Sequence, residues 1–263
     1  MSFFVVKVFQ DKKSGISGEH HMIGRIHSYE TLGAVDGPGI RFVLFMQGCR
    51  LRCKYCHNPD SWSPSCGKEM SDTEIADEVV KYRHYFGRKG GITVSGGEPL
   101  LQLDFLISLF TLLKQRGIST AIDTSGAEYN ENDERYGKLL SVTDLVLLDI
   151  KHIDTNKCKA LTGIGNENTL AFARRLSKEN IPVIIRQVLV PSLTDDRHDL
   201  IRTRDFIATL DNVKKIEVLP YHTLGRSKYE NMGIPYALDG VTPPAKETVA
   251  MANEILSGAL KNQ

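Results

Sequence analysis

No apolar run in this sequence approaches the roughly 20 residues that a membrane-spanning helix needs, so no membrane partner is expected. Neither sign of charge dominates. Lys and Arg total 33 against 32 Asp and Glu, a net charge of +1. That balance gives no footprint for nucleic acid or an anionic surface. Low-complexity segments and internal linkers are also missing. The opening residues MSFFVVKVFQDKKSG carry Lys7 early and lack both a basic leader and a small-residue cleavage site. No secretory signal is read there, and a cytoplasmic location is expected. Cysteine is scarce and odd in number, at five in 263 residues. That is too few for a secreted disulfide scaffold. No Ser-His-Asp or paired-carboxylate arrangement stands out for acid–base work.

What is present is a regular alternation. RFVLFMQ (41–47) reads as a buried strand, and GRIHSYE (24–30) before it as a short one. Ser71 with Glu74 forms a capping-box signature for a helix over 71–85. Strand 91–98 leads to helix 100–117, which ends at Gly117. Strand 118–126, a helix near 131–140 and strand 143–151 follow. Helix 167–179, strand 181–191, helix 195–210, strand 213–222 and a closing helix over 244–260 complete the chain. The strands are continuous apolar runs, as parallel strands covered by helices should be. Each ends in polar or glycine-rich residues, such as Ser95-Gly96-Gly97-Glu98 and Asp123-Thr124-Ser125-Gly126. In a parallel barrel such ends meet on one face, which carries the site. Six units fall short of the usual eight. The fold class is therefore α/β, a partial (β/α)6 barrel of TIM type, with parallel strands and helices outside. Residues 1–22 read as an extension and 23–263 as one catalytic domain.

Cys49, Cys53 and Cys56 crowd into the loop after the first buried strand, while Cys66 and Cys158 read as plain thiols. Closely spaced thiolates bind zinc or iron–sulfur clusters. The residues alone leave this open. Zinc would recruit His57 or Cys66 as a fourth ligand; a cubane on three cysteines would leave one iron free for a ligand. Asp123 and Asp149 end adjacent strands. Two carboxylates at close range resist ionising together unless a cation lies between them, and hard oxygen donors suit such an ion.

Cys-x3-Cys-x2-Cys with Tyr55 before the last cysteine, followed by Ser95-Gly96-Gly97-Glu98-Pro99, resembles the radical S-adenosylmethionine superfamily. Stretches 23–49, 53–62, 95–102, 123–126, 143–152 and 215–225 are similar to its glycyl-radical activating enzymes, in particular the pyruvate formate-lyase type. The resemblance implies the partial barrel counted above. It implies a [4Fe–4S] cluster on Cys49, Cys53 and Cys56, with its open iron chelating S-adenosylmethionine. Reductive cleavage would give a 5′-deoxyadenosyl radical that takes a hydrogen from a glycine Cα of pyruvate formate-lyase. Reduced flavodoxin or ferredoxin would donate the electron, and the chain would be a monomer.

Residue roles follow from the same resemblance. Gly97 backs the amino group of the bound methionine moiety, and Glu98 holds the turn or lies near the amine. Tyr55, Cys56 and His57 meet the adenine through backbone groups. Asp149, Ile150, Lys151 and His222 reach the cofactor, Lys151 and His222 also serving catalysis. Asp36 orders the site when the partner's glycine loop is bound. Asp123, Thr124, Leu147 and Asp149 hold a monovalent cation, Na+ or K+. Arg186 faces inward without a defined role. Two rival readings remain: another radical S-adenosylmethionine enzyme acting on a different glycyl-radical protein, peptide or small molecule, and a non-catalytic metal-stabilised module. The second predicts a fourth cysteine or histidine and no carboxylate pair, and neither fits.

Overall fold

The structure, a computed structural model, describes residues 21–260. Apart from His21 and Met22, the expected N-terminal extension lies outside the described residues. In chain order the elements are β1 (Ile23–Gly33), β2 (Arg41–Met46), β3 (Lys68–Ser71), α1 (Asp72–Val80), α2 (Arg83–Phe86) and β4 (Gly91–Gly96). Then come α3 (Leu103–Gln115), β5 (Ser119–Thr124), α4 (Arg135–Ser141), β6 (Leu145–Asp149), α5 (Thr155–Thr162) and α6 (Glu167–Lys178). β7 (Val183–Leu189), α7 (Arg197–Ile207), β8 (Val213–Pro220), α8 (Arg226–Met232) and α9 (Lys246–Ser257) finish the chain.

One sheet runs in the order β3-β1-β2-β4-β5-β6-β7-β8. From β2 to β8 every pairing is parallel, giving six parallel strands. The order is linear, so the barrel stays open. β1 runs antiparallel to both β2 and β3 and extends the sheet at its first edge. The expected partial (β/α)6 barrel is present, with that antiparallel edge added.

Alternation along the strands separates two apolar faces. Phe42, Leu44, Ile92, Val94, Ile122, Val146, Leu148 and Ile185 belong to the main core with the helices. α3 brings Phe105, Leu106, Leu109, Phe110 and Leu113 to it on one stripe. Ala121, Leu145, Leu147 and Ile184 form a small separate cluster on the other face. Burial on both faces is why the strands read as unbroken apolar runs. Arg41, 1% exposed, starts β2 on that inner face. Its guanidinium donates to Thr93 Oγ1 at 2.6 Å and to the carbonyls of Ile92 and Lys89 at 2.5 and 3.2 Å. Burial lowers its pKa to about 10, against the pull of Asp144 and Asp36.

The capping box forms as expected: Glu74 N donates to Ser71 Oγ and Ser71 N to Glu74 Oε2. The helix expected over 71–85 is broken at Lys81–Tyr82, where Tyr82 leaves helical geometry and packs its ring on Phe42, 5.9 Å away. β3, α5 and α8 were not expected from the sequence; all are short and polar. α3 starts later than residue 100 because Pro99–Gln102 forms a 3-10 turn under the Glu98 cap.

Candidate active site

The cysteine loop leaves the C-terminal end of β2 and is stapled on three sides. Gln47, buried, donates through Nε2 to the carbonyls of Asp60 and Ser63 at 3.0 and 2.8 Å. The amides of Gly48 and Cys49 donate to the carbonyls of Ser61 and Trp62. The amides of Arg52 and Lys54 donate to Thr162 and Leu161 at 2.6 and 3.0 Å, using carbonyls that the end of α5 leaves free. α8 holds the far side. Lys228 Nζ donates to Asn58 Oδ1 at 2.8 Å and pairs with Asp60 at 3.0 Å. Tyr229 donates its hydroxyl to the Cys56 carbonyl at 3.1 Å.

The glycine turn after β4 is zipped onto this loop. Gly97 N donates to Met46 O at 3.0 Å and Glu98 N to Gly48 O at 2.7 Å. Gly96 has φ +83°, the left-handed region where glycine is favoured. Glu98, 1% exposed, accepts four hydrogen bonds, from Leu100 N, Thr124 Oγ1, Ser125 N and Ser125 Oγ. Of its two sequence readings, holding the turn is the one this geometry displays. It ties the end of β4 to the end of β5.

Together these elements enclose a cavity of about 280 Å³. Cys49, Cys53, Tyr55, Cys56, His57 and Gly97 line it, as do Asp123, Thr124, Asp149 and Lys151. Burial pushes the Cys49 and Cys53 thiols up to about 12; Glu98 adds to the rise at Cys49, and Lys151 opposes it at Cys53. Burial raises Cys56 as well, opposed by the Asn58 backbone and the Trp62 side chain.

Asp149 and Asp123 each have a cation of their own. Lys151 Nζ lies 2.7 Å from Asp149 Oδ2 and 5.7 Å from the centre of the Tyr55 ring. Burial alone would lower the Lys151 pKa, yet Asp149, Tyr55 and Cys53 hold it well above its ordinary value. Asp123 Oδ2 accepts from Ser95 Oγ at 2.8 Å and from Arg186 Nη1 at 3.2 Å. Burial raises the Asp123 pKa, Arg186 pulls it down and Asp149 pushes it up again. Arg186, left without a role by the sequence, is the hub of this half. It also pairs with Glu217 at 2.9 Å and donates to the Val35 carbonyl at 2.6 Å. Charge balance at Asp123 and Asp149 is therefore met by side chains. Thr124 Oγ1 is likewise engaged, donating to Glu98 and accepting from Gly126 N.

Four expected site residues are not among those lining the cavity. Leu147 stands in register with Asp123 inside the small apolar cluster. Ile150 is fully buried in the core, its amide donating to Arg186 O at 3.0 Å. His222 sits exposed at the rim; its ring stacks on His57 at 4.1 Å and its carbonyl accepts from His57 Nε2 at 3.1 Å. Asp36 precedes β2, its carbonyl accepting from Thr93 Oγ1 at 2.6 Å. Burial raises its carboxyl pKa, with Arg186 opposing.

The donor set fits an iron–sulfur cluster better than a single ion. Among the described residues, only Asp196, His198 and Asp199 bring three such ligand atoms within 4.8 Å of one another. The three thiols are not such a group, so at least one pair of them lies farther apart than 4.8 Å, whereas sulfurs around one tetrahedral ion with ~2.3 Å bonds lie about 3.8 Å apart. Cys66 is exposed and is not among the lining residues.

A loop holding three soft ligands over the open end of a six-stranded parallel half-barrel is the arrangement of the radical S-adenosylmethionine proteins. The Radical SAM superfamily profile matches residues 43–205. The pyruvate formate-lyase-activating enzyme of Listeria monocytogenes is 50% identical over 239 residues, covering 89% of this chain and 96% of that protein. Its counterpart in Staphylococcus epidermidis is 52% identical over 236 residues, covering 87% and 93%. Among solved structures, a domain of pyruvate-formate lyase-activating enzyme from Bacteroides vulgatus matches with a TM-score of 0.54 at 27% identity, over 65% of this chain and 94% of that one. Streptococcus suis SuiB, at 13% identity and TM-score 0.62 over 83% of this chain and 45% of its own, shares the fold. The chain belongs to the pyruvate formate-lyase-activating enzyme family of the Radical SAM superfamily. It is an oxidoreductase that binds an iron–sulfur cluster and S-adenosylmethionine.

Proposed function

We propose that this chain activates pyruvate formate-lyase by installing a radical on one of its glycines. The observation that carries the reading is the shared cavity: three half-buried thiols, the Gly96-Gly97 turn and the Asp149–Lys151 pair face one space at the strand ends. When bound, a [4Fe–4S] cluster would supply the one-electron reduction of S-adenosylmethionine on which hydrogen abstraction from the glycine depends. Cys49, Cys53 and Cys56 would hold the cluster. The Gly97 backbone would meet the cofactor's amino end, and the Tyr55–His57 backbone its adenine. Asp149 fixes Lys151 as a cation beside Tyr55, placed for the cofactor's carboxylate. The His57 ring stacks on His222 at the rim, and Asp36 orders the site when the partner's glycine loop is bound.

A Na+ or K+ held by Asp123, Thr124, Asp149 and the Leu147 carbonyl is the part of this reading that the pairing supports least. Arg186 and Lys151 already counter both carboxylates. A monomer in the cytoplasm, reduced by flavodoxin or ferredoxin, completes the proposal; residues 23–263 act as one catalytic unit. Among the described residues no helix is long and apolar enough to cross a membrane.

The test is an anaerobic mixture of reconstituted protein, reductant, S-adenosylmethionine and pyruvate formate-lyase. A glycyl-radical doublet by EPR, absent with Cys53→Ala, is expected. A cluster that forms but yields no doublet on pyruvate formate-lyase would contradict the assigned partner.

A further inference from the structure

A second groove, of about 630 Å³, lies behind the cysteine loop. Cys49 and Trp62 line both this groove and the cavity above, so they form a shared wall. The rest of its lining includes Arg25, Arg50 and Arg52 and no acidic residue. That is a local concentration in a chain whose net charge is only +1. Arg52 lies over the Trp62 ring at 4.7 Å and donates to the carbonyls of Cys49 and Leu51 at 2.8 Å. Among the described residues no carboxylate pairs with it. Arg25 and Arg50 are paired at the groove edge with Glu69 and Glu128, and their side chains are 40% and 71% exposed. The Arg25–Glu69 pair, exposed on both partners, is worth at most about 1 kcal/mol and exchanges readily for an incoming carboxylate.

We propose that this groove is the docking surface for an acidic one-electron carrier protein, which reduces the cluster across the wall of Cys49 and Trp62. The inference rests on the function proposed above. The cavity side must admit both S-adenosylmethionine and a glycine-bearing protein, so a carrier arriving there would compete with the substrate. The outer groove reaches the same thiol from behind and leaves the mouth free. Its arginines match an acidic partner, steering encounter in a salt-dependent way. The step moves one electron: the carrier is oxidised by one, the cluster reduced by one, and no bond or proton is exchanged.

The probe is reduced flavodoxin, tested on the reconstituted holoenzyme. Binding is measured by calorimetry at low and high salt, apart from any activity. Arg25→Glu with Arg50→Glu should weaken flavodoxin binding by at least about tenfold at low salt and flatten its salt dependence. Arg25→Lys with Arg50→Lys should retain binding within about threefold, which separates lost charge from lost fold. With dithionite as reductant, the charge-reversed protein should give the same glycyl doublet as wild type. Unchanged flavodoxin binding would overturn the proposal. Equal loss of the dithionite-driven doublet would also overturn it, assigning the groove to the glycine-bearing protein. Wild-type protein that shows no doublet with dithionite would refute the underlying function instead.

Discussion

A methyl group on Gly97 would stand 2.2 Å from the carbonyl oxygen of Gly48, and one on Gly96 2.7 Å from the Met46 amide. Both obstacles are backbone atoms, which do not swing aside as side chains do. The glycines are thus required by the contact between the two loops, before any cofactor is considered. Gly97→Ala should push the turn off the cysteine loop. A displacement near 1 Å at a reacting centre costs about 100-fold in rate, and activation should fall by about that much, with iron content reduced in parallel. Full iron and full activation would show that the loop yields. At this scale the sequence was legible where chemistry is local. The cysteine spacing and Gly96-Gly97-Glu98 are short motifs at strand ends. Arg186 was not legible, because its partners Asp123, Glu217 and the Val35 carbonyl come from two other strands and a loop.

The elements that hold the cysteine loop are the ones the sequence concealed. α5 offers its terminal carbonyls to Arg52 and Lys54, and α8 offers Lys228 and Tyr229. Both helices are short and face the loop more than the sheet, so neither carries the broad apolar stripe that reveals α3. β3 is four residues, KEMS, and exists through its pairing with β1. Strands β2 and β4 to β8 and helix α3, buried against one another, were legible for the opposite reason. The α8 clamp carries a pH signature. Burial alone would raise the Asp60 pKa, but His27 and Lys228 hold it down to about 2. A depressed carboxylate stabilises the fold above its unfolded pKa, near 4, and that contribution is lost as pH falls toward 2. The group is partly exposed, so its worth after solvent screening is about 1 kcal/mol or less. Asp60→Asn should therefore melt a few degrees below wild type at pH 6, with the gap closing below pH 3. A gap that stays constant with pH would contradict the role of the carboxylate charge.

At the scale of the whole molecule, the open sheet explains how one small chain acts on a protein. Six parallel strands gather their polar ends at one mouth, and the linear strand order leaves the barrel unclosed. Arg41 fills the inner face at the start of β2, and a layer of Ala121, Leu145, Leu147 and Ile184 lines the same face. The cofactor cavity and the paired ions lie at the strand ends. All of this depends on the three thiols holding an iron–sulfur cluster rather than a single ion. The most direct measurement is EPR of the anaerobically reconstituted, reduced protein with and without S-adenosylmethionine, alongside metal and sulfide analysis. The account predicts about four irons and four sulfides per chain, as a cubane requires, and a reduced-cluster signal that changes when S-adenosylmethionine is added. One zinc per chain with no such signal, or a cluster signal indifferent to S-adenosylmethionine, would contradict it.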